Sequence, residues 1–73
     1  MIDVLIKNEL GNKPVATGRS NDAINAIDLR VTGIDPAEFI KVGDHYMVGL
    51  DNGSNMTGRT CTAKAGSTAT FTK

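Results

Sequence analysis

The residues that could do chemistry are few and far apart in this 73-residue sequence. His45 is the only histidine and Cys61 the only cysteine, so a cysteine nucleophile with a histidine base would require the fold to bring these two together. His45 follows Gly43 and Asp44 in a turn-like stretch, and Cys61 lies between two threonines in a strand-like one. A surface turn and a half-buried strand explain both residues more simply than catalysis does.

The carboxylates do not form an obvious catalytic pair either. They are dispersed among predicted caps, turns and exposed faces, at Asp3, Asp22, Asp28, Asp35, Glu38 and Asp44. General acid and base catalysis needs two such groups held close together, and a zinc site needs several histidine or cysteine ligands. We therefore predict a protein that is not an enzyme, with no catalytic, cofactor-binding or metal-binding residue and no small-molecule substrate.

Binding of phosphates or nucleic acids finds little support. Gly49, Gly53 and Gly58 recur in the second half, but their spacing matches neither a P-loop nor a dinucleotide-binding motif. Eight basic residues balance eight acidic ones, so the chain lacks the positive field of a typical nucleic-acid-binding domain. Tyr46 is a poor stacking platform on its own. We predict no strong direct binding to nucleic acid.

The element expected to organise the fold is a helix over residues 20–34. Polar side chains suited to capping a first turn stand at its start, and Gly33 followed by Pro36 would end it. Apolar residues recur along it at steps of three or four, which would form one buried stripe: Ile24, Ile27, Val31 and Ile34. A single helical turn is also expected at residues 35–38, with Asp35 as its cap.

Alternating apolar residues predict short strands on both sides of this helix. Residues 1–10 are expected to form the first strand and residues 14–17 a second one. Residues 39–42 and 46–50 are expected to form a hairpin, and residues 56–62 a returning strand. The sequence therefore predicts an α+β fold, in which a small antiparallel sheet of three to five short strands packs on one main helix.

The two ends of the chain differ in composition. Residues 63–73 have few side chains that could bury area, so residues 1–62 are predicted to form a single compact α+β domain and residues 63–73 a flexible polar tail. The sequence shows no signal peptide and no apolar run long enough to cross a bilayer. A cytoplasmic protein without a membrane partner is expected.

The chain resembles the small early proteins with which bacteriophages take over host machinery. The resemblance lies in its size, in its Gly/Thr/Ala-rich end, and in the predicted order of a strand, a capped helix over residues 20–34 and a hairpin over residues 39–50. These phage proteins include RNA-polymerase-binding transcription regulators, inhibitors and antiterminators, of phages such as those of Xanthomonas, and anti-CRISPR proteins. The resemblance implies a non-enzymatic regulator in the host cytosol that binds a large host protein complex, with RNA polymerase as the first candidate. A Cas effector complex and a role in virion assembly are the alternatives.

The residues predicted to contact such a partner are Tyr46, Met47, Arg59 and Lys64. The aromatic ring and the adaptable thioether suit an interface, and the two cations could steer association. The alternative is that Met47 fills the core while both cations only solvate the tail.

Overall fold

The computed structural model describes residues 1–73 and contains strands but no helix. The strands, in chain order, are β1 (Ile2–Lys7), β2 (Pro14–Ser20), β3 (Asp28–Val31), β4 (His45–Leu50), β5 (Thr57–Ala65) and β6 (Thr68–Thr72). They form one antiparallel sheet in the order β2-β1-β4-β5-β6-β3. The predicted α+β fold is therefore wrong, and the protein is all-β.

The sheet curls until its two edge strands, β2 and β3, meet. Arg19 of β2 and Thr32, which directly follows β3, exchange two backbone hydrogen bonds of 2.8 and 2.7 Å. This close approach requires Gly18, because a Cβ atom there would lie 2.6 Å from the Thr32 carbonyl oxygen. Closure pairs part of the edges that an open sheet would leave exposed to other chains.

The inside of the closed sheet holds the hydrophobic core. Apolar residues alternate with exposed or half-buried ones along the strands, which is the two-residue period of a sheet with one buried face. The rings of Tyr46 and Phe71 pack edge to face at its centre, with centroids 5.8 Å apart and planes at 87°. The buried apolar residues are Val4, Ile6, Ala16, Leu29, Val31, Ile34, Ile40, Tyr46, Val48, Cys61, Ala69 and Phe71.

Residues 20–34 form the end of β2, a loop and β3, and not the predicted helix. Leu29 and Val31 are both fully buried at strand spacing, whereas Ile27, which the helical stripe would bury, is 70% exposed. Pairing with β6 satisfies the backbone of β3 and buries its apolar face at the same time. The helical spacing of the isoleucines was misleading because Leu29, which lies off that stripe, belongs to the core.

The residues predicted to cap the helix stabilise the loop instead. The Asp22 carboxylate accepts a hydrogen bond of 2.9 Å from the Arg30 amide, and the Ser20 hydroxyl oxygen accepts one of 3.0 Å from the Asp22 amide. Short polar side chains bond neighbouring amides in loops as readily as in helix caps. The capping pattern therefore did not distinguish between the two structures.

The predicted flexible tail, residues 63–73, instead completes the sheet. It contains the end of β5 and the whole of β6, and β6 pairs with β5 on one side and with β3 on the other. Ala69 and Phe71 belong to the core, with exposed fractions of 1% and 0%. The threonines that alternate with them, Thr68, Thr70 and Thr72, are β-branched and suit the outer face of a strand, so low apolar content did not mean disorder here.

Two long connections cover the openings of the closed sheet. Loop A is residues 21–27 and joins β2 to β3; loop B is residues 32–44 and joins β3 to β4. Because two strands separate β3 from β4 in either direction around the sheet, loop B crosses from one side to the other. Residues 39–42, predicted as a strand, lie within loop B and are not in the sheet, and residues 35–38 form a turn.

Loop A is held mainly by the side chain of Arg59, which is 2% exposed. Its Nη1 atom donates to the carbonyl oxygens of Ile27 and Phe71, at 3.0 and 3.2 Å, and Nη2 donates to that of Ile24 at 2.9 Å. The Nε atom is buried without a hydrogen-bond partner. Burial lowers the pKa of Arg59, since desolvation disfavours the charged form.

No segment of the fold is a helix with the length and apolar character needed to span a bilayer.

Candidate protein-contact surface

Loop B follows a defined path although it has no regular secondary structure. Ile34 and Ile40 enter the core and are 2% and 4% exposed. The Lys41 amide donates a hydrogen bond of 3.0 Å to the hydroxyl oxygen of Tyr46. Two apolar anchors and a buried phenol therefore fix the backbone on both sides of residue 39.

Between these anchors, loop B exposes two large apolar side chains. Phe39 is 76% exposed and Val42 is 51% exposed, while Ile40 between them is buried. Full burial of a phenylalanine side chain contributes about 1.5–3 kcal/mol, most of which Phe39 does not gain in the free protein. Folding alone thus gives no reason for its position, whereas contact with another molecule would.

A third exposed apolar side chain lies at the same end of the molecule. β1 and β4 are antiparallel and Lys7 pairs with Met47, so the turn after β1 and the part of loop B before β4 lie at one end of the sheet. That turn carries Leu10, which is 80% exposed. We call Leu10, Phe39 and Val42 the apolar end.

The turn that carries Leu10 is itself well ordered by one side chain. The Asn8 carboxamide oxygen accepts hydrogen bonds of 3.1 Å from the amides of Asn12 and Lys13, and the Asn8 carbonyl oxygen accepts one of 2.8 Å from the amide of Gly11. Asparagine commonly bonds nearby amides in turns in this way. Leu10 is therefore presented on a structured turn.

The other end of the molecule offers a natural comparison. Loop A follows Ser20, which pairs with Ile2 at the start of β1, so this loop lies opposite the apolar end. Loop A exposes Ile27, whose exposed fraction is 70%. Met1, which directly precedes β1 at the same end of the sheet, is 71% exposed. Single exposed apolar residues are normal on protein surfaces, whereas two from one anchored loop and a third from a turn at the same end of the sheet make that end the candidate contact surface.

The residues predicted to contact a partner are not gathered on one surface. Tyr46 and Arg59 pair across β4 and β5, but both side chains point inward and are 6% and 2% exposed. Burial raises the pKa of Tyr46, which the hydrogen bond from Lys41 partly offsets. Met47 is half-buried on the outer face, and Lys64 is exposed near the end of β5.

His45 and Cys61 do not form a catalytic pair. His45 is exposed, and its Nδ1 atom lies 2.9 Å from the Thr60 hydroxyl oxygen. Cys61 is fully buried, and burial raises the pKa of its thiol, which disfavours the reactive thiolate. No group of three histidine, cysteine, aspartate or glutamate side chains is placed to hold a metal ion.

Sequence reasoning placed Phe39 in a strand and Leu10 at the end of one, and so missed both as contact residues. The available signal was their position beside turn residues, since Leu10 precedes Gly11 and Phe39 follows the Asp35 turn. A large apolar side chain at a turn is exposed unless the turn folds back on the core.

No protein-family model matches the chain, and no curated protein or solved structure shows significant similarity to it.

Proposed function

We propose that this protein is a non-enzymatic binding module that attaches to a larger protein assembly through its apolar end. The supporting observation is the 76% exposure of Phe39 in a loop whose next residue, Ile40, is anchored in the core. An aromatic side chain on a fixed backbone loses little conformational entropy when it enters a pocket of a partner. This is the arrangement expected of a binding hot spot.

The surroundings of these residues also suit an interface. Lys41 and Asp44, next to the two apolar residues of loop B, are exposed and of opposite charge, and would form a polar rim. The neutral net charge of the chain favours recognition by shape and apolar contact over strong electrostatic attraction.

Bacterial RNA polymerase remains the first partner to test, in the cytosol of a bacterial host. The helix that formed part of the resemblance to phage regulators is absent, so this assignment now depends on small size, the absence of a catalytic site and neutral charge. A Cas effector complex or a virion assembly intermediate would engage the same surface. They are alternative outcomes of one experiment.

The experiment is quantitative affinity capture from bacterial lysate with the wild-type chain, Phe39→Ser and Ile27→Ser. Loss of a hot-spot phenylalanine should reduce recovery of the specific partner at least about tenfold, since such a residue contributes about 2 kcal/mol or more. Ile27→Ser removes an equally exposed apolar side chain from the opposite end and should recover the partner as the wild type does. Both positions are exposed, so neither variant should change the free energy of unfolding by more than about 0.5 kcal/mol.

The result separates the surface from the identity of the partner. Recovery of RNA polymerase that is lost only with Phe39→Ser supports both parts of the proposal. Recovery of another assembly with the same dependence retains the surface and rejects the polymerase. A partner recovered equally well with Phe39→Ser rejects the surface.

A further inference from the structure

The closure between β2 and β3 is incomplete and leaves part of β2 with an unpaired edge. Arg19 uses its amide and carbonyl groups on Thr32, and the Asp3 carbonyl opposite it accepts a hydrogen bond from the Asp51 amide on the other side of β1. Arg19 and Asp3 are therefore a non-hydrogen-bonded pair of the β1 and β2 ladder. Thr17, two residues earlier on β2, must direct its amide and carbonyl groups to the same side as Arg19.

No strand pairs with this edge at Thr17. Gly33 has a φ of 74°, which turns loop B away from β2 immediately after the Thr32 bridge. The divergence opens two adjoining hollows, each of about 390 Å³, that share Thr17 and Gly33 as lining residues. We call the two hollows together the β2 groove; it follows β2 from Pro14 to Arg19, a length of about 17 Å at about 3.4 Å per residue.

The β2 groove is acidic although the chain as a whole is neutral. Its single cation, Arg19, already contacts Asp3, with its Nε atom 3.1 Å from a carboxylate oxygen. Three further carboxylates line the groove and have no ion-pair partner within the chain. Asp35 and Glu38 lie at one end of the groove, and Asp51 lies with Asp3 at the other.

We infer that the β2 groove binds an extended, basic peptide segment of a partner protein, which adds to β2 at Thr17. The unpaired amide and carbonyl groups supply backbone hydrogen bonds, as in other cases of strand addition to a sheet edge. The carboxylates at the two ends select lysine or arginine side chains about four residues apart in the segment, a spacing that places both on one face of the added strand. Pro14 at the start of β2 has no amide hydrogen and limits further pairing in that direction.

The carboxylates of the groove argue against a nucleic acid or a metal ion as its ligand. A nucleic acid would meet four carboxylates and only one cation, which is already paired. A metal ion would need converging ligands, which these carboxylates do not provide. This inference rests on the proposed function and adds the chemistry of the partner to it. Asp35 and Glu38 belong to loop B, so a partner that binds Phe39 could also place a basic segment along the groove.

The test uses a synthetic six-residue probe, acetyl-Lys-Val-Thr-Val-Lys-Thr-amide, titrated into the isotopically labelled full chain at low salt and followed by NMR. Saturable shifts of the Thr17 and Gly33 amides, and exchange of the Thr17 amide slowed at least about fivefold by its new hydrogen bond, are the expected results. A probe with both lysines replaced by glutamate, and a backbone N-methylated copy of the basic probe, should bind at least about tenfold more weakly.

Matched substitutions assign the effect to the groove. The double variant Asp35→Asn, Glu38→Gln should weaken the basic probe about threefold to tenfold, whereas Glu9→Gln, at an exposed carboxylate outside the groove, should not. Absence of shifts at Thr17 at millimolar probe, or equal binding of the basic and acidic probes, would overturn the inference. The probe requires no host partner, so failure here leaves the Phe39 experiment intact, and failure of that experiment leaves this one intact.

Discussion

Loops A and B close the two openings of the same sheet by different physical means. Loop A is held by a buried cation, since Arg59 donates to carbonyl oxygens at Ile24 and Ile27. Loop B is held by two buried apolar side chains, Ile34 and Ile40, and by hydrogen bonds to the Tyr46 phenol, the Ser67 carbonyl oxygen and the backbone of Cys61. In loop A a buried guanidinium supplies side-chain donors to loop carbonyls, whereas loop B depends more on the ordinary hydrophobic core.

The difference bears on function. Loop A receives Arg59 through two of its carbonyl groups and exposes one large apolar side chain, Ile27. Loop B is fixed at points on both sides of residue 39, and Phe39 and Val42 face outward between them. A loop attached by its apolar anchors can therefore present Phe39 without loss of order, which is why we propose loop B as part of the binding surface.

The largest effect is expected from Arg59→Ala, which should lower the free energy of unfolding by about 4 kcal/mol. The substitution removes buried side-chain volume and the guanidinium donors to the carbonyl oxygens of Ile24, Ile27 and Phe71, although the Ile27 oxygen keeps a hydrogen bond from the Lys73 amide. Urea denaturation measures this. Arg59→Lys keeps the charge but not the fork of donors, and should lose about 2 kcal/mol. Arg30→Ala, an exposed arginine on β3, is the control and should change stability by less than about 0.5 kcal/mol. A loss below about 1 kcal/mol for Arg59→Ala would show that loop A does not depend on this cation.

Ile40→Ala tests the anchor of loop B and should lower the free energy of unfolding by about 3 kcal/mol, the usual cost of truncating a buried isoleucine. Val42→Ala, two residues away and 51% exposed, should cost less than about 0.5 kcal/mol in the same denaturation experiment. Equal effects of the two substitutions would mean that the loop is not anchored through Ile40.

Cys61 provides a test by pH. The amide of Gly43 in loop B donates to the Cys61 carbonyl oxygen at 2.8 Å, and the thiol is buried beside it. Because burial raises the pKa of this thiol in the folded state, the unfolded state loses the thiol proton first as pH rises. The free energy of unfolding should therefore fall above about pH 8.5, by at most about 1.4 kcal/mol per pH unit. The slope should be smaller in Cys61→Ala between about pH 8.5 and 9.5, measured by denaturation at each pH. An unchanged slope would contradict burial of the thiol.

The smallest effect is expected from Tyr46→Phe, which removes the acceptor for the Lys41 amide and should cost about 1 kcal/mol. Amide hydrogen exchange should show faster exchange at Lys41 while the amides of loop A are unaffected. Equal acceleration in both loops would indicate a general loss of stability and not a local release of loop B.

Sequence patterns predicted the strands whose apolar residues alternate clearly. The predicted segments over residues 1–10, 46–50 and 56–62 overlap β1, β4 and β5. The helix prediction failed because spacing at three and four residues was read from isoleucines that in the structure lie partly in a loop. Leu29 and Val31 are both buried and lie two residues apart, which is the spacing of a strand with one buried face.

The remaining features depend on contacts between distant parts of the chain. Arg59 lies 35 positions from Ile24, and no local pattern distinguishes an arginine that will be buried from one on the surface. The exposure of Phe39 depends equally on how loop B crosses the sheet. These are properties of topology, which a single sequence did not reveal.

The most direct test of the account is the hydrogen exchange footprint of this chain in complex with the partner captured by its wild-type form. Slower exchange in residues 35–44 and 8–13, with unchanged exchange in residues 21–27, is the predicted result, because the partner should cover the apolar end and leave loop A in solvent. Protection of residues 21–27 without protection of loop B would contradict it.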